Sequence, residues 1–206
     1  MARSTGREVE IKLRVADALA LRRRLRALGA RKLGRVLEKN TLYDTPTGLL
    51  ARKGYLVRLR LNNPSTALRA GSNGELTYKG PAQKGESKLG KRYKIREERN
   101  WPVPDAGLAA RMLLSLGLYP GFRYEKRRTV YRLPGLAKLQ VMLDETPIGV
   151  FLELEGPKPA IDRAARLLGY TPADYVTSSY YALYLGHCRR LGRTPRHMVF
   201  PKRKKS

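Results

Sequence analysis

Acidic residues are scarce in this chain of 206 residues, where 17 Asp and Glu stand against 43 Lys and Arg for a formal net charge of +26. That balance points to anionic partners: nucleotides, polyphosphate, nucleic acid or an anionic membrane surface. Cysteine is nearly absent. Cys188 alone excludes an internal disulfide and fits a reducing cytoplasm. No apolar run approaches the ~18 residues a membrane-crossing helix needs, and the N-terminus lacks a signal peptide's apolar stretch. A soluble, cytoplasmic protein is expected. His187 and His197 with Cys188 have no zinc-ligand spacing, so a zinc site is not expected.

What is present begins with strict alternation from Glu8 to Val15. Val9, Ile11, Leu13 and Val15 share one face, and Glu8, Glu10, Lys12 and Arg14 the other, the period of a β-strand. An ordinary solvated strand face carries Thr, Ser, Gln and a scattered charge. This one places carboxylates and cations in a row.

Asp17 is positioned to cap a helix over 18–28 that ends at Gly29. Strand patterns follow over 36–44, 55–62 and 75–79, with a turn at Tyr43–Gly48 and loops over 62–74 and 80–90. An alternating run over 91–101 leads to a helix from Asp105 to Leu116, ended by Gly117. Glu125-Lys126-Arg127-Arg128-Thr129-Val130-Tyr131 then resembles Glu38-Lys39-Asn40-Thr41-Leu42-Tyr43, so strand, helix and hairpin occur twice. Strands over 137–144 and 149–155 and helices over 160–168 and 178–191 complete the body. One domain over 1–188 and a basic tail over 189–206 are expected. The tail holds Arg189, Arg190, Arg193, Arg196, Lys202, Arg203, Lys204 and Lys205, and no acid.

The mixed-sign face returns strand after strand. Arg58 and Arg60 alternate with Val57, Leu59 and Leu61; Thr77 and Lys79 with Leu76 and Tyr78; Arg92, Lys94, Arg96 and Glu98 with Tyr93 and Ile95. Lys138, Gln140 and Asp144 oppose Leu139, Val141 and Leu143, and Glu153 and Glu155 oppose Leu152 and Leu154. Each face alone is compatible with solvent exposure. Together, on a sheet that curls with helices outside, they line a polar interior. Clustered carboxylates suit Mg²⁺ or Mn²⁺, and Lys and Arg suit phosphate oxygens.

Glu8-x-Glu10-x-Lys12 resembles the ExExK signature of the CYTH superfamily, the triphosphate tunnel metalloenzymes. The resemblance continues in order through Asn40–Pro46, Leu56-Val57-Arg58-Leu59-Arg60, Leu76–Pro81, Arg96-x-Glu98, Glu125-Lys126-x-Arg128, Leu143-Asp144-Glu145, Phe151–Glu155 and Ser179-Tyr180, covering about 6–185. Asn100 departs from it, standing where the family often has a third acidic position. The resemblance implies an α+β fold: a pseudo-duplicated, eight-stranded antiparallel β-barrel, its triphosphate tunnel wrapped by helices. It implies Mg²⁺ or Mn²⁺ held by Glu8, Glu10, Asp144, Glu153 and Glu155. Phosphates would be clamped by Arg58, Arg60, Lys79, Arg96, Lys126 and Arg128, with Lys12 and Glu10 catalytic. The first activity it implies is that of a class IV adenylyl cyclase, converting ATP to cyclic AMP and pyrophosphate; the alternative is a hydrolase removing the terminal phosphate of tripolyphosphate or nucleoside triphosphates. A non-catalytic binder of phosphate ligands is a further alternative.

Other motifs carry blander readings. Gly85–Lys91 has P-loop spacing, but Arg92 replaces the metal-binding Ser or Thr and no helix follows, so a loop is expected. Tyr175, Tyr180, Tyr181 and Tyr184 fall at helical spacing and read as core packing, and Trp101 is expected to pack on a helix. Nonspecific nucleic-acid or polyphosphate contact is a secondary expectation, assigned to the tail.

Overall fold

The computed structural model describes residues 6–61, 73–82 and 92–201. The loops expected at 62–74 and 80–90 lie mostly outside these residues, as do the P-loop-like stretch Gly85–Lys91 and the Lys202–Lys205 end of the tail. In chain order the elements are β1 (Gly6–Val15), α1 (Ala18–Ala27), β2 (Arg31–Asp44), α2 (Leu49–Arg52), β3 (Leu56–Leu61), β4 (Gly74–Lys79) and β5 (Lys94–Val103). There follow α3 (Ala106–Ser115), β6 (Tyr119–Arg132), β7 (Gln140–Thr146), β8 (Gly149–Glu155), α4 (Lys158–Leu167) and α5 (Tyr180–Arg190). The strands close into one antiparallel barrel in the order β1-β5-β4-β3-β2-β6-β7-β8.

The duplication is written into this order. Replacing β1–β4 by β5–β8, and the reverse, leaves the set of strand pairings of the barrel unchanged. The local chemistry repeats with it. Asp17 and Asp105 both cap helices, Asp17 accepting from the amides of Leu19 and Ala20 and Asp105 from that of Leu108. Gly29 and Gly117 end them at φ of 70° and 76°, a conformation a side chain disfavours.

Alternation sorts the outer face into two cores. Ile11, Leu13, Val15, Val141, Leu143, Leu152 and Leu154 pack beneath Leu21 and Leu25 of α1 and Ile161, Ala164 and Ala165 of α4. Leu59, Leu61 and Tyr43 pack on Ala106, Ala109 and Leu113 of α3. Each fully buried aliphatic side chain contributes about 1.5–3 kcal/mol. Tyr93 and Tyr175 tie β5 and the approach to α5 onto α4, each donating to Asp162 at 2.7 and 2.8 Å. Tyr175 is thus an outer brace. Trp101, expected to pack on a helix, lies on the outer face opposite Leu76 and stays 42% exposed. α2 occupies the segment just after the expected turn, nucleated by the Asp44 carboxylate, which accepts from the amides of Leu50 and Ala51.

The C-terminal segment is fastened at both ends of α5. Val176 exchanges backbone hydrogen bonds with Lys12 at 2.8 and 2.9 Å, where β1 has left β5. Beyond the helix, Met198 pairs in parallel with β6, its carbonyl accepting from Glu125 N at 2.8 Å and its amide donating to Arg123 O at 3.0 Å. The stretch expected as tail therefore returns to the barrel, and Met198 is fully buried against Phe122, Tyr124, Phe151 and Tyr180.

Candidate active site

Cross-strand register places the charged residues on the inner wall. Glu8 faces Arg96, Glu10 faces Lys94 and Glu155, and Lys12 faces Glu153. Glu38 faces Lys126, Arg60 faces Glu75, Lys79 faces Glu98, and Arg128 faces Asp144. Directly paired residues point to the same side of a sheet, so the ring of pairings brings every proposed site residue into one lumen.

That lumen has two sectors. On β1, β5 and β8, with Lys79 of β4, carboxylates crowd together. Lys79 Nζ lies 2.7 Å from both carboxylate oxygens of Glu8 and 3.1 Å from Glu98, and Lys94 lies 2.9 Å from Glu10. Burial, then repulsion from Glu10, raises Glu8 to about 8 despite Lys79. Burial and then Glu98 raise Glu155 to about 7. Against the cost of burial, Lys79 brings Glu98 down to about 2, and Lys12 with Lys94 holds Glu10 below the usual carboxylate range. Burial lowers Lys94 to about 8.

On β2, β3, β6 and β7 cations dominate. Arg128 donates to both Asp144 oxygens at 2.7 and 2.6 Å and also to Glu153, while Lys126 donates to Asp144 at 2.8 Å. Arg58 donates to Thr77 Oγ1 at 2.8 Å, and Arg60 reaches Asn40 Oδ1 at 3.1 Å and Glu75 at 3.3 Å. Glu38 lies 3.4 Å from Arg60 and 3.5 Å from Lys126, with one buried oxygen lacking a hydrogen-bond partner. Lys12 joins the sectors, 3.3 Å from Glu10 and 3.5 Å from Glu153. Buried pairs of this kind contribute little net stability, because desolvation offsets their attraction. Concentrating them in one lumen makes it the candidate functional site.

One end of the lumen is packed shut. The Tyr180 hydroxyl donates to Asp144 Oδ2 at 2.8 Å, and Lys12 and Lys126 lie 5.4 and 5.1 Å from its ring centre. Phe122, Tyr124, Phe151 and Met198 fill the space around it. Tyr180 packs, as its helical spacing predicts, and also touches the site.

The barrel with this charged lumen places the chain among known structures. A family model described as the CYTH domain matches residues 6–180. The chain belongs to the CYTH family. Members of this family are typically enzymes. Its barrel superposes on a candidate adenylate cyclase from Vibrio parahaemolyticus with a TM-score of 0.69 at 19% identity, covering 87% of this chain and 98% of the other. A protein from Pyrococcus horikoshii matches with a TM-score of 0.66 at 24% identity over 85% and 98%. A candidate adenylyl cyclase from Hippeastrum, for which a dominant triphosphatase activity is described, matches with a TM-score of 0.59 at 20% identity over 91% and 97%. At these identities the likeness concerns the fold. No curated protein matches the sequence.

The CYTH motifs, carried over residue by residue, omit several members of this lumen. Glu38, Glu75 and Lys94 line it outside those motifs, and Asn40, Thr77 and Asn100 line it within motif segments that assigned them no role. Asn100, at the position that departs from the family pattern, donates to Glu98 at 3.0 Å and accepts from Thr77 at 2.7 Å. Asp144 and Glu153 are held by Arg128 and Lys126, and among the described residues no three Asp, Glu, His or Cys side chains converge as a ready-made metal cluster. No helix of the described residues is long and apolar enough to cross a membrane.

Proposed function

We propose that this CYTH protein is a divalent-metal-dependent enzyme that binds a triphosphate in its lumen and hydrolyses the terminal phosphate. The observation that carries this reading is the pairing of sectors. Arg58, Arg60, Lys126 and Arg128 form a cationic wall able to grip phosphate oxygens, facing an acid-crowded wall of Glu8, Glu10 and Glu155. A triphosphate alone would meet these carboxylates as like charges, and a metal ion alone would meet the arginines. Together they satisfy both walls.

The donor set suits Mg²⁺ or Mn²⁺. Glu8, Glu10 and Glu155 are hard oxygen ligands whose mutual repulsion a dication relieves, and Asp144 and Glu153 would join by releasing Arg128 to phosphate. A bound dication would neutralise charge developing on the phosphate oxygens. Lys79 and Arg96 would hold the outer part of the chain. Lys12 and Glu10, at the junction of the sectors, would orient water toward the terminal phosphorus. Water oxygen would bond to phosphorus and pass a proton to a phosphate oxygen as the bond to the bridging oxygen breaks, and that oxygen departs with the shortened phosphate chain, whose charge the arginines stabilise.

The packed end supports recognition by phosphates rather than by a base. Phe122, Phe151, Tyr180 and Met198 are buried against one another and leave no berth for a nucleoside there. An organic group would stay at the end away from this cluster, so tripolyphosphate and nucleoside triphosphates are both substrates under this reading. Cyclisation of ATP, with its 3′-hydroxyl attacking the α-phosphorus, uses the same wall and is the second reading. The same fold in the Hippeastrum protein accompanies a dominant triphosphatase activity, which favours hydrolysis. Incubation with ATP and Mg²⁺ or Mn²⁺ separates the two: ADP with orthophosphate supports hydrolysis, and cyclic AMP with pyrophosphate replaces it with cyclisation.

A further inference from the structure

The lumen does not account for the chain's charge. Lys12, Arg58, Arg60, Lys79, Lys94, Arg96, Lys126 and Arg128 face an equal number of carboxylates there: Glu8, Glu10, Glu38, Glu75, Glu98, Asp144, Glu153 and Glu155. Formally the lumen sums to zero, so the whole surplus of +26 belongs to the exterior and the loops.

Part of that surplus is organised on α1. Leu21 and Leu25 point into the core, while Arg23 and Arg26 stand exposed on the crest and Arg22 and Arg24 lean to either side of it. Arg22 and Arg26 are four residues apart, and Arg23 and Arg26 three, spacings at which like charges destabilise a helix. Relief is slight. Arg22 pairs with Glu145 at 2.8 Å, the one ion pair α1 makes among the described residues, and Arg24 donates to Leu167 O at 2.7 Å.

Two troughs flank the crest. Between α1 and α4 lies a groove of about 1090 Å³, floored by apolar side chains such as Leu21, Leu28, Leu168 and Tyr170 and rimmed by Arg14, Arg23, Arg24, Arg163 and Arg166, with Asp17 its sole acid. On the other side a cavity of about 370 Å³ is bordered by Arg22, Arg26, Lys32 and Arg35, with Glu145 its sole acid. A ridge of like charges between two cation-rimmed troughs costs the helix stability. It complements a groove bounded by two phosphate strands, with guanidinium forks directed to both.

We propose that the α1 face is a docking surface for double-stranded nucleic acid, read through its phosphates and independent of the lumen. The tail, the expected carrier of such contact, keeps Arg189, Arg190, Arg193 and Arg196 exposed although Met198 anchors it to the barrel, so the test sets its end against the α1 face.

Fluorescence anisotropy with a labelled duplex of about 20 base pairs, across about 50 to 200 mM KCl, tests the proposal. The full chain, R23Q/R26Q/R163Q, R23E/R26E/R163E and a chain ending at Pro201 are compared, with tripolyphosphate turnover and thermal melting as checks on folding. The expected result is salt-dependent binding by the full chain. Affinity falls about tenfold or more in the Gln variant and further in the Glu variant, the logarithmic salt slope drops by about 2 to 3, and the shortened chain loses much less. Equal binding by full chain and variants overturns it, as does loss confined to removal of 202–206. Displacement of the duplex by polyglutamate at equal charge concentration also overturns it and assigns the face to an acidic protein.

Discussion

Tyr180, the first residue of α5, donates its hydroxyl to Asp144 Oδ2 at 2.8 Å, so the helix that seals the barrel is bonded to the carboxylate that also holds Arg128 and Lys126. Closure and site geometry are therefore coupled. Tyr180→Phe keeps the ring and removes the donor. It is expected to lower stability by about 1–2 kcal/mol in urea unfolding with an unchanged m-value, and to reduce turnover several-fold.

The seal depends on a residue far outside the charged wall. Met198 is fully buried in the cluster of Phe122, Tyr124, Phe151 and Tyr180. Met198→Ala is expected to cost about 2–4 kcal/mol, whereas Leu116→Ala, at a residue 74% exposed, stays within about 0.5 kcal/mol. Urea midpoints of the two variants check this.

Much of the site was legible because β1 alternates without error, so Glu8, Glu10 and Lys12 had to share a face opposite Val9, Ile11 and Leu13. The same regularity exposed Arg58 with Arg60 and Glu153 with Glu155. β2 gave no such signal: Val36, Glu38, Asn40 and Leu42 share its inner face, and mixing apolar with polar residues hides the alternation. Glu38 was missed for that reason. Glu75 and Lys94 had the right parity but lay outside the motifs. Met198 was unreadable, since a single parallel bridge to a distant strand leaves no periodic trace, and α2 is too short to show one.

Glu38 and Glu10 are expected to respond oppositely. Glu38 lies 3.4 Å from Arg60 and 3.5 Å from Lys126, so Glu38→Gln frees two cations for phosphate and removes a like charge. The KM for tripolyphosphate is expected to fall several-fold with the metal requirement unchanged. Glu10→Gln, in the acid-crowded sector, is expected to raise the Mg²⁺ or Mn²⁺ concentration for half-maximal rate about tenfold or more. Metal titrations of both variants separate the sectors.

Stability of the metal-free protein is expected to depend on pH through the same wall. Glu8 and Glu155 move up from an ordinary 4.5 to about 8 and about 7, so the folded protein keeps protons the unfolded chain releases. Stability therefore falls as pH rises from 5 to 8, by up to about 1.4 kcal/mol per pH unit for each such group. Glu98, drawn down to about 2, and the depressed Glu10, Glu38 and Glu153 act in the opposite direction, their contribution disappearing as pH falls below 4.5. Thermal melts in chelator across pH 3–9 are expected to peak near pH 5. In Glu8→Gln the decline between pH 5 and 8 is shallower.

The central claim is that the two-sector lumen processes a triphosphate with a divalent metal. Its most direct test is tripolyphosphate turnover with Mg²⁺ or Mn²⁺, followed by ion chromatography of the products, for the wild type beside Glu10→Ala and Arg58→Ala. The account predicts orthophosphate and diphosphate from the wild type, no turnover in chelator, and a loss of about a hundredfold or more in both variants. Undiminished turnover in both variants, or no turnover of tripolyphosphate or ATP by the wild type with either metal, would contradict it.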